Sequence, residues 1–147
     1  MSHYHKILRK EIIARSEARN WDDARLEWRL YSIAWQKEGG RCICTHFIKE
    51  MCYIRNMVND QTSTVGNCCI NQFFARDLVS VFRALRANKI NPALLAYADE
   101  EKVITKWEFN FMMDVWRKRK FTSSQSAKYN EIKDKIYSAC RMEAEEI

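Results

Sequence analysis

CICTHFIKEMCYIRNMVNDQTSTVGNCCINQFF, residues 42–74, carries five of the six cysteines of the chain: Cys42, Cys44, Cys52, Cys68 and Cys69. Clustered cysteines in a reducing compartment point to a metal rather than to disulfides. A structural zinc takes four thiolate or imidazole ligands, usually two from a tight turn and two from a second element. Cys42 and Cys44 form the first pair. Cys69 is the candidate from the second element, because Val65-Gly66-Asn67 places it in the first turn of a helix, where the dipole lowers a thiol pKa. The fourth ligand is either Cys52, which completes an all-cysteine set, or His46; the prevalence of thiolate-rich sets in closed structural sites favours Cys52. Cys68 is expected to point elsewhere as a buried small hydrophobe, and Cys140 likewise.

Within the same stretch, residues 47–58 (FIKEMCYIRNMV) are rich in β-branched and aromatic types with partial alternation, and Asn59-Asp60 opens a polar run to Ser63. This spacing predicts a short hairpin returning at Thr64-Val65. Cys69, Ile70, Phe73 and Phe74 then fall at helical spacing from about Asn67.

Outward from the module, helical periodicity dominates. Residues 4–19 place Ile7, Leu8, Glu11, Ile12 and Arg15 on one stripe, leaving Lys6, Arg9, Lys10 and Arg19 on the polar side. Asn20 is the expected N-cap of a second helix, with Asp22 and Asp23 in its first turn. Trp21, Trp28 and Trp35 follow at equal intervals, the pattern of one buried helical face ended by Gly39-Gly40. Downstream, a helix from about Ala75 to Asn88 turns Arg76, Arg83 and Arg86 outward. Pro92 begins a short helix to about Lys102. Thr105 with Glu108, and Thr122 with Gln125, are capping boxes that open helices 106–119 and 123–145. Glu131 and Lys135 stand as an i,i+4 pair.

The 147 residues are 47% hydrophobic and 12% aromatic, enough for one ordinary domain with a real core. No apolar run of membrane-spanning length and no secretory leader occur, so a soluble cytoplasmic protein is expected. Only three glycines and one proline imply long helices. The net charge of +6 suits an acidic partner such as nucleic acid. P-loop, dinucleotide glycines, His-Glu-x-x-His and Gly-x-Ser-x-Gly are absent, and Glu50 lacks the companion motif of a zinc deaminase. The reading is non-enzymatic.

Cys42-Ile-Cys44, then Ile48-Lys49-Glu50, Cys52, Ile54-Arg55-Asn56 and Val65-Gly66-Asn67-Cys68-Cys69-Ile70, resembles small zinc-finger-type proteins encoded by bacteriophages, prophages and other mobile elements of bacteria. The likeness extends over about residues 20–136, through Trp21-Asp22-Asp23 upstream and Trp107-Glu108 downstream. In that pattern a Cys-x-Cys-Gly knuckle leads through a hairpin to Val-Gly-x-x-Cys at a helix start, with Cys69 on the final position; Thr45 departs from the usual glycine. The resemblance implies a treble-clef-like geometry. The expected fold is a single domain, mainly α, with a small zinc-stabilised hairpin at about 40–75 between helices 4–37 and 75–145. The expected function is nucleic-acid binding in the cytoplasm of a bacterial or infected host cell. Lys49, Arg55, Arg83, Arg86, Arg117, Lys118, Arg119 and Lys120 are the candidate phosphate contacts, and Tyr53 or Phe47 is available for stacking. A protein-protein adaptor or inhibitor subunit in phage attack or anti-phage defence, with zinc purely structural, is the alternative.

Overall fold

The computed structural model describes residues 2–73 and 78–140. Phe74, Arg76, the start of the helix expected at Ala75 and the end of the last helix lie outside them. The chain divides into two compact units, Met1–Asp77 and Leu78–Ile147.

The first unit begins with α1 (His3–Ala14), capped by the Ser2 hydroxyl, which accepts from the His5 N–H at 3.1 Å. Leu8 and Ile12, one turn apart, are its fully buried members. The helix stops short of residue 19. Just beyond it the Ser16 hydroxyl donates to the Ile12 carbonyl (2.6 Å) and accepts from the Trp28 indole N–H (2.8 Å). Asn20 caps α2 (Trp21–Ala24) by accepting from Asp23 N–H. A 3₁₀ turn, Arg25–Glu27, then leads into β1 (Trp28–Arg41). β2 (Phe47–Asn56) and β3 (Thr62–Gly66) complete an antiparallel sheet in the order β1-β2-β3, and α3 (Asn67–Ile70) follows directly.

β1 overturns the expectation of a mainly α fold with a helix through residue 37. The structure is mixed, with seven helices and a three-stranded sheet among the described residues. The physical reason is visible in the partner strand. A two-stranded hairpin is marginal in water, and β1 supplies β2 with a second neighbour, pairing Ile33 with Cys52 and Ala34 with Met51. Trp28, Ile33 and Ala34 are fully buried. The equally spaced tryptophans therefore do not share one helical face: Trp21 sits on α2 edge-on to Phe73, Trp28 opens β1, and Trp35 lies farther along it opposite Glu50. Gly39-Gly40 closes no helix. It lies where β1 advances from Trp35 to Gly40 while β2 advances only from Glu50 to Ile48, a bulge that Gly39 permits with φ +73°.

Polar bonds tie the hairpin to the α1–α2 connection. The Glu27 carboxylate accepts from the N–H groups of Glu17 (2.9 Å) and Ala18 (2.8 Å) and from the Asn56 side chain (2.9 Å). Although burial opposes it, these donors together hold its pKa below the ordinary carboxylate value.

The second unit contains α4 (Val79–Ala87), α5 (Pro92–Glu100), α6 (Lys106–Val115) and α7 (Ser123–Ala139). Phe82, Leu94, Leu95, Met112, Ile132 and Ile136 are fully buried in it. Asn88, at φ +57°, ends α4 in the left-handed conformation that asparagine tolerates. Both capping boxes form with reciprocal bonds. Lys135 does not pair with Glu131. Its Nζ reaches Glu108 at 2.8 Å, joining α7 to the first turn of α6, while Lys128 takes Glu131 at 3.5 Å.

The Lys135 bond, then the Thr105 amide, lowers the pKa of the buried Glu108 carboxyl. A carboxylate depressed on folding stabilises above its unfolded pKa, and that contribution fades as pH falls through the folded value. Glu108→Gln should cost about 1–3 kcal/mol at neutral pH. The difference from wild type should narrow as the acid limb is approached below pH 4. Thermal melts across pH 3–7 check it; a pH-independent gap would remove the ion pair from the account.

Candidate metal centre

The knuckle Cys42–His46 connects β1 to β2. The Cys42 N–H donates to the His46 carbonyl at 2.9 Å and the Thr45 N–H to the Cys42 carbonyl at 2.8 Å, closing the turn. The Ile43 N–H donates to the Thr64 carbonyl (3.0 Å), fastening the turn to β3. β3 then ends at Gly66, and the next turn is α3, which carries Cys69. Two strand ends and one helix start thus converge.

What converges there is sulfur. The thiols of Cys42, Cys44 and Cys69 all lie within 4.8 Å of one another, and the three residues are 3%, 1% and 5% exposed. They form no disulfide. Cys42 Sγ accepts from the N–H of Gly66 (3.4 Å) and of Cys44 (3.5 Å). The bond from the Cys69 thiol is the main reason its pKa falls to about 6, with the amide donors adding to it against the opposing effect of burial. The Cys69 thiol, donating to Cys42, is driven far above the ordinary thiol range. Burial raises Cys44. Without a cation the cluster therefore supports one thiolate, and three buried thiolates require a positive charge among them. A divalent soft or borderline metal meets that requirement, since thiolates are its preferred ligands and binding releases their protons. The side-chain oxygen of Asn67, between Gly66 and the cysteine pair, is buried without a hydrogen-bond partner, an acceptor of the kind that a bound ion or water accounts for.

No protein-family model, no curated protein and no solved structure matches this chain.

Cys52 is fully buried at mid-β2, opposite Ile33 and Val65, and is not in the three-sulfur group. Cross-strand partners share a face, so its thiol shares that of the apolar Ile33 and Val65. His46 is exposed, its ring edge-on to Tyr4 at 4.8 Å, and it serves the turn through its backbone: its carbonyl accepts from the Cys42 N–H and its own N–H donates to the Cys44 thiol. Cys68 is exposed rather than buried, because its neighbour Cys69 takes the inward side of the short α3. Cys140 is buried as expected.

Thr45 adopts φ +80°, a region costly to a β-branched residue. Thr45→Gly should relieve that strain and raise stability by up to about 1 kcal/mol, after the extra unfolded-state freedom of glycine is offset. Denaturant titration would register it as a higher midpoint with unchanged slope. An equal or lower midpoint would mean that the turn is not strained.

Of the candidate phosphate contacts, Lys49, Arg83, Arg86, Lys118, Arg119 and Lys120 are exposed and pair with no acid among the described residues. Arg55 is engaged with Asp60 at 2.9 Å, and the Arg117 guanidinium lies over the Trp116 ring at 5.5 Å. Arg9, expected on a solvated face, instead lies over Trp21 at 5.1 Å and donates to Gln72 at 3.1 Å. Of the two stacking candidates, Tyr53 is buried, whereas Phe47 is 49% exposed with its ring packed close over Gly39. The most exposed aromatic residue among those described is Trp107, at 61%. No helix among the described residues is long and apolar enough to cross a membrane.

Proposed function

We propose that Cys42, Cys44 and Cys69 hold a structural zinc, and that the protein is a non-enzymatic nucleic-acid-binding accessory protein of a phage or other mobile element. The three buried, mutually close thiols carry the zinc reading. Zinc has no redox role and no geometric demand beyond a closed tetrahedral set, so in this position it pins the knuckle to the start of α3. With three cysteines in the group, the fourth donor comes from outside these thiols. The nucleic-acid reading rests on the unpaired, exposed cations of both units and the net charge of +6. The likeness of the knuckle and Val-Gly-x-x-Cys strings to mobile-element zinc proteins supplies the biological setting.

A second reading, a protein-protein adaptor, is favoured by an apolar patch on the first unit. Leu26, Met57 and Val58 are each more than half exposed, and the Met57 N–H donates to the Glu27 carbonyl at 2.7 Å, which brings the hairpin turn beside Leu26. Elemental analysis and salt-dependent binding decide among these. The expected results are one zinc per chain and an affinity for nucleic acid that falls steeply with added salt, as counterion release demands. A metal-free folded protein overturns the first part, and a flat salt response overturns the second in favour of the adaptor.

A further inference from the structure

The second unit exposes an aromatic ring that its core does not use, stacked on a half-buried one. Trp107 is 61% exposed, although its indole is stacked on Phe111 one turn along α6, with centroids 5.5 Å apart and planes 11° from parallel. The helix buries Glu108, Met112 and Val115 instead. Lys128 of α7 places its Nζ 5.4 Å from the indole centroid. Lys106, the residue before Trp107, is itself exposed.

The backbone that presents this pair is firmly held. The capping box of Thr105 and Glu108 fixes the first turn of α6, and Glu108 is in turn fastened to Lys135 of α7. The indole thus stands on a braced helix end, with a cation from the neighbouring helix at its surface. Arg117 to Lys120 follow α6 at its other end, about 15 Å along the helix axis at 1.5 Å per residue, a reach of two or three nucleotides.

We infer that Trp107 and Phe111 form a base-stacking platform for single-stranded nucleic acid, with Lys128 and the 117–120 run neutralising its phosphates. This rests on the nucleic-acid reading above and narrows it to a strand type and a site. Planar rings beside an ammonium group complement a base beside its phosphate, and the long, solvent-accessible pairing of Lys128 with Glu131 at 3.5 Å is weak enough for a phosphate to displace; stacking of this kind is tolerant of sequence because every base has a π face. Bases inside a duplex have no free face, so the platform selects single strands.

The test uses the full chain with fluorescein-labelled oligo(dT), oligo(U) and a mixed-sequence duplex, at two salt concentrations. Wild type, Trp107→Ala, Trp107→Phe and Lys128→Ala are compared, each confirmed as folded by its melting curve. The expected result is tighter binding of a single strand than of duplex, weakened roughly tenfold by Trp107→Ala and largely retained by Trp107→Phe. Lys128→Ala should lower the slope of log K against log salt by about 0.7. Single-strand binding that ignores Trp107→Ala, or preferential duplex binding, overturns the platform while the nucleic-acid reading stands. No binding of any probe at low salt overturns both.

Discussion

Cys69→Ser is expected to yield a protein that carries no zinc and whose first unit no longer folds at physiological temperature. The same is expected of Cys42→Ser and Cys44→Ser. Zinc binding to comparable small modules is worth about 10–16 kcal/mol at neutral pH, whereas a whole domain is stable by about 5–15 kcal/mol. Serine neither ionises at this pH nor replaces a thiolate toward a soft metal. Gly66 and Cys44 would also lose the thiolate that receives their amides, should Cys42 be the residue replaced. Cys52→Ser should behave differently, keeping its zinc while losing about 1–3 kcal/mol, because a hydroxyl replaces a thiol on the apolar Ile33–Val65 face. Cys68→Ser, at an exposed position, should lie within about 0.5 kcal/mol of wild type and keep its metal. Bound zinc per chain and melting with and without a chelator read all five variants. Loss of zinc from a folded Cys52→Ser protein would restore Cys52 to the ligand set and sink the three-sulfur assignment.

The parts of the fold that could be read from the chain alone are those specified by local chemistry. Thr105 and Glu108, Thr122 and Gln125, Asn20 and Asp23, and Pro92 each act within one turn, and each opens a helix, although the one after Asn20 runs only from Trp21 to Ala24. The hairpin was legible because its β-branched run is interrupted by a polar turn. β1 was not, because Trp28, Ile33, Ala34 and Trp35 fit two periods at once, and the contest is settled by a partner strand about twenty residues away. The same limit divides the metal centre. Cys42, Cys44 and Cys69 lie on a turn and a helix start, features that local sequence marks, and they meet. Counting thiols brings Cys52 into the set, but strand alternation determines where it points, and that depends on a register set by pairing. Lys135 fails to meet Glu131 for a similar reason: a buried carboxylate on α6 competes for its ammonium.

Gly39→Ala should be the most damaging substitution outside the cysteines, at about 2–4 kcal/mol. A methyl group at Gly39 would stand 2.3 Å from Phe47 Cζ and 2.8 Å from the Ile48 carbonyl oxygen, and φ +73° is itself unfavourable for alanine. The half-exposed Phe47 ring can swing aside, but the Ile48 carbonyl is backbone and does not yield cheaply. The damage should extend to the metal. Beyond the bulge, Gly40 pairs with Ile48 and Arg41 with Phe47, and that register delivers Cys42 to the mouth of the knuckle. If β1 is forced straight, its end is displaced along β2 and Cys42 moves out of reach of Gly66 and Cys69. Gly39→Ala should therefore lose zinc to a chelator faster than wild type, even where enough fold survives to bind it. A double-mutant cycle with Phe47→Ala separates the causes. Removing the ring should recover part of the cost and leave the backbone contribution, about 1–2 kcal/mol for the left-handed conformation. Should Gly39→Ala melt within about 0.5 kcal/mol of wild type and hold its zinc equally well, the bulge would not be what positions Cys42, and the convergence of the three thiols would have to be traced to the Ile43–Thr64 bond alone.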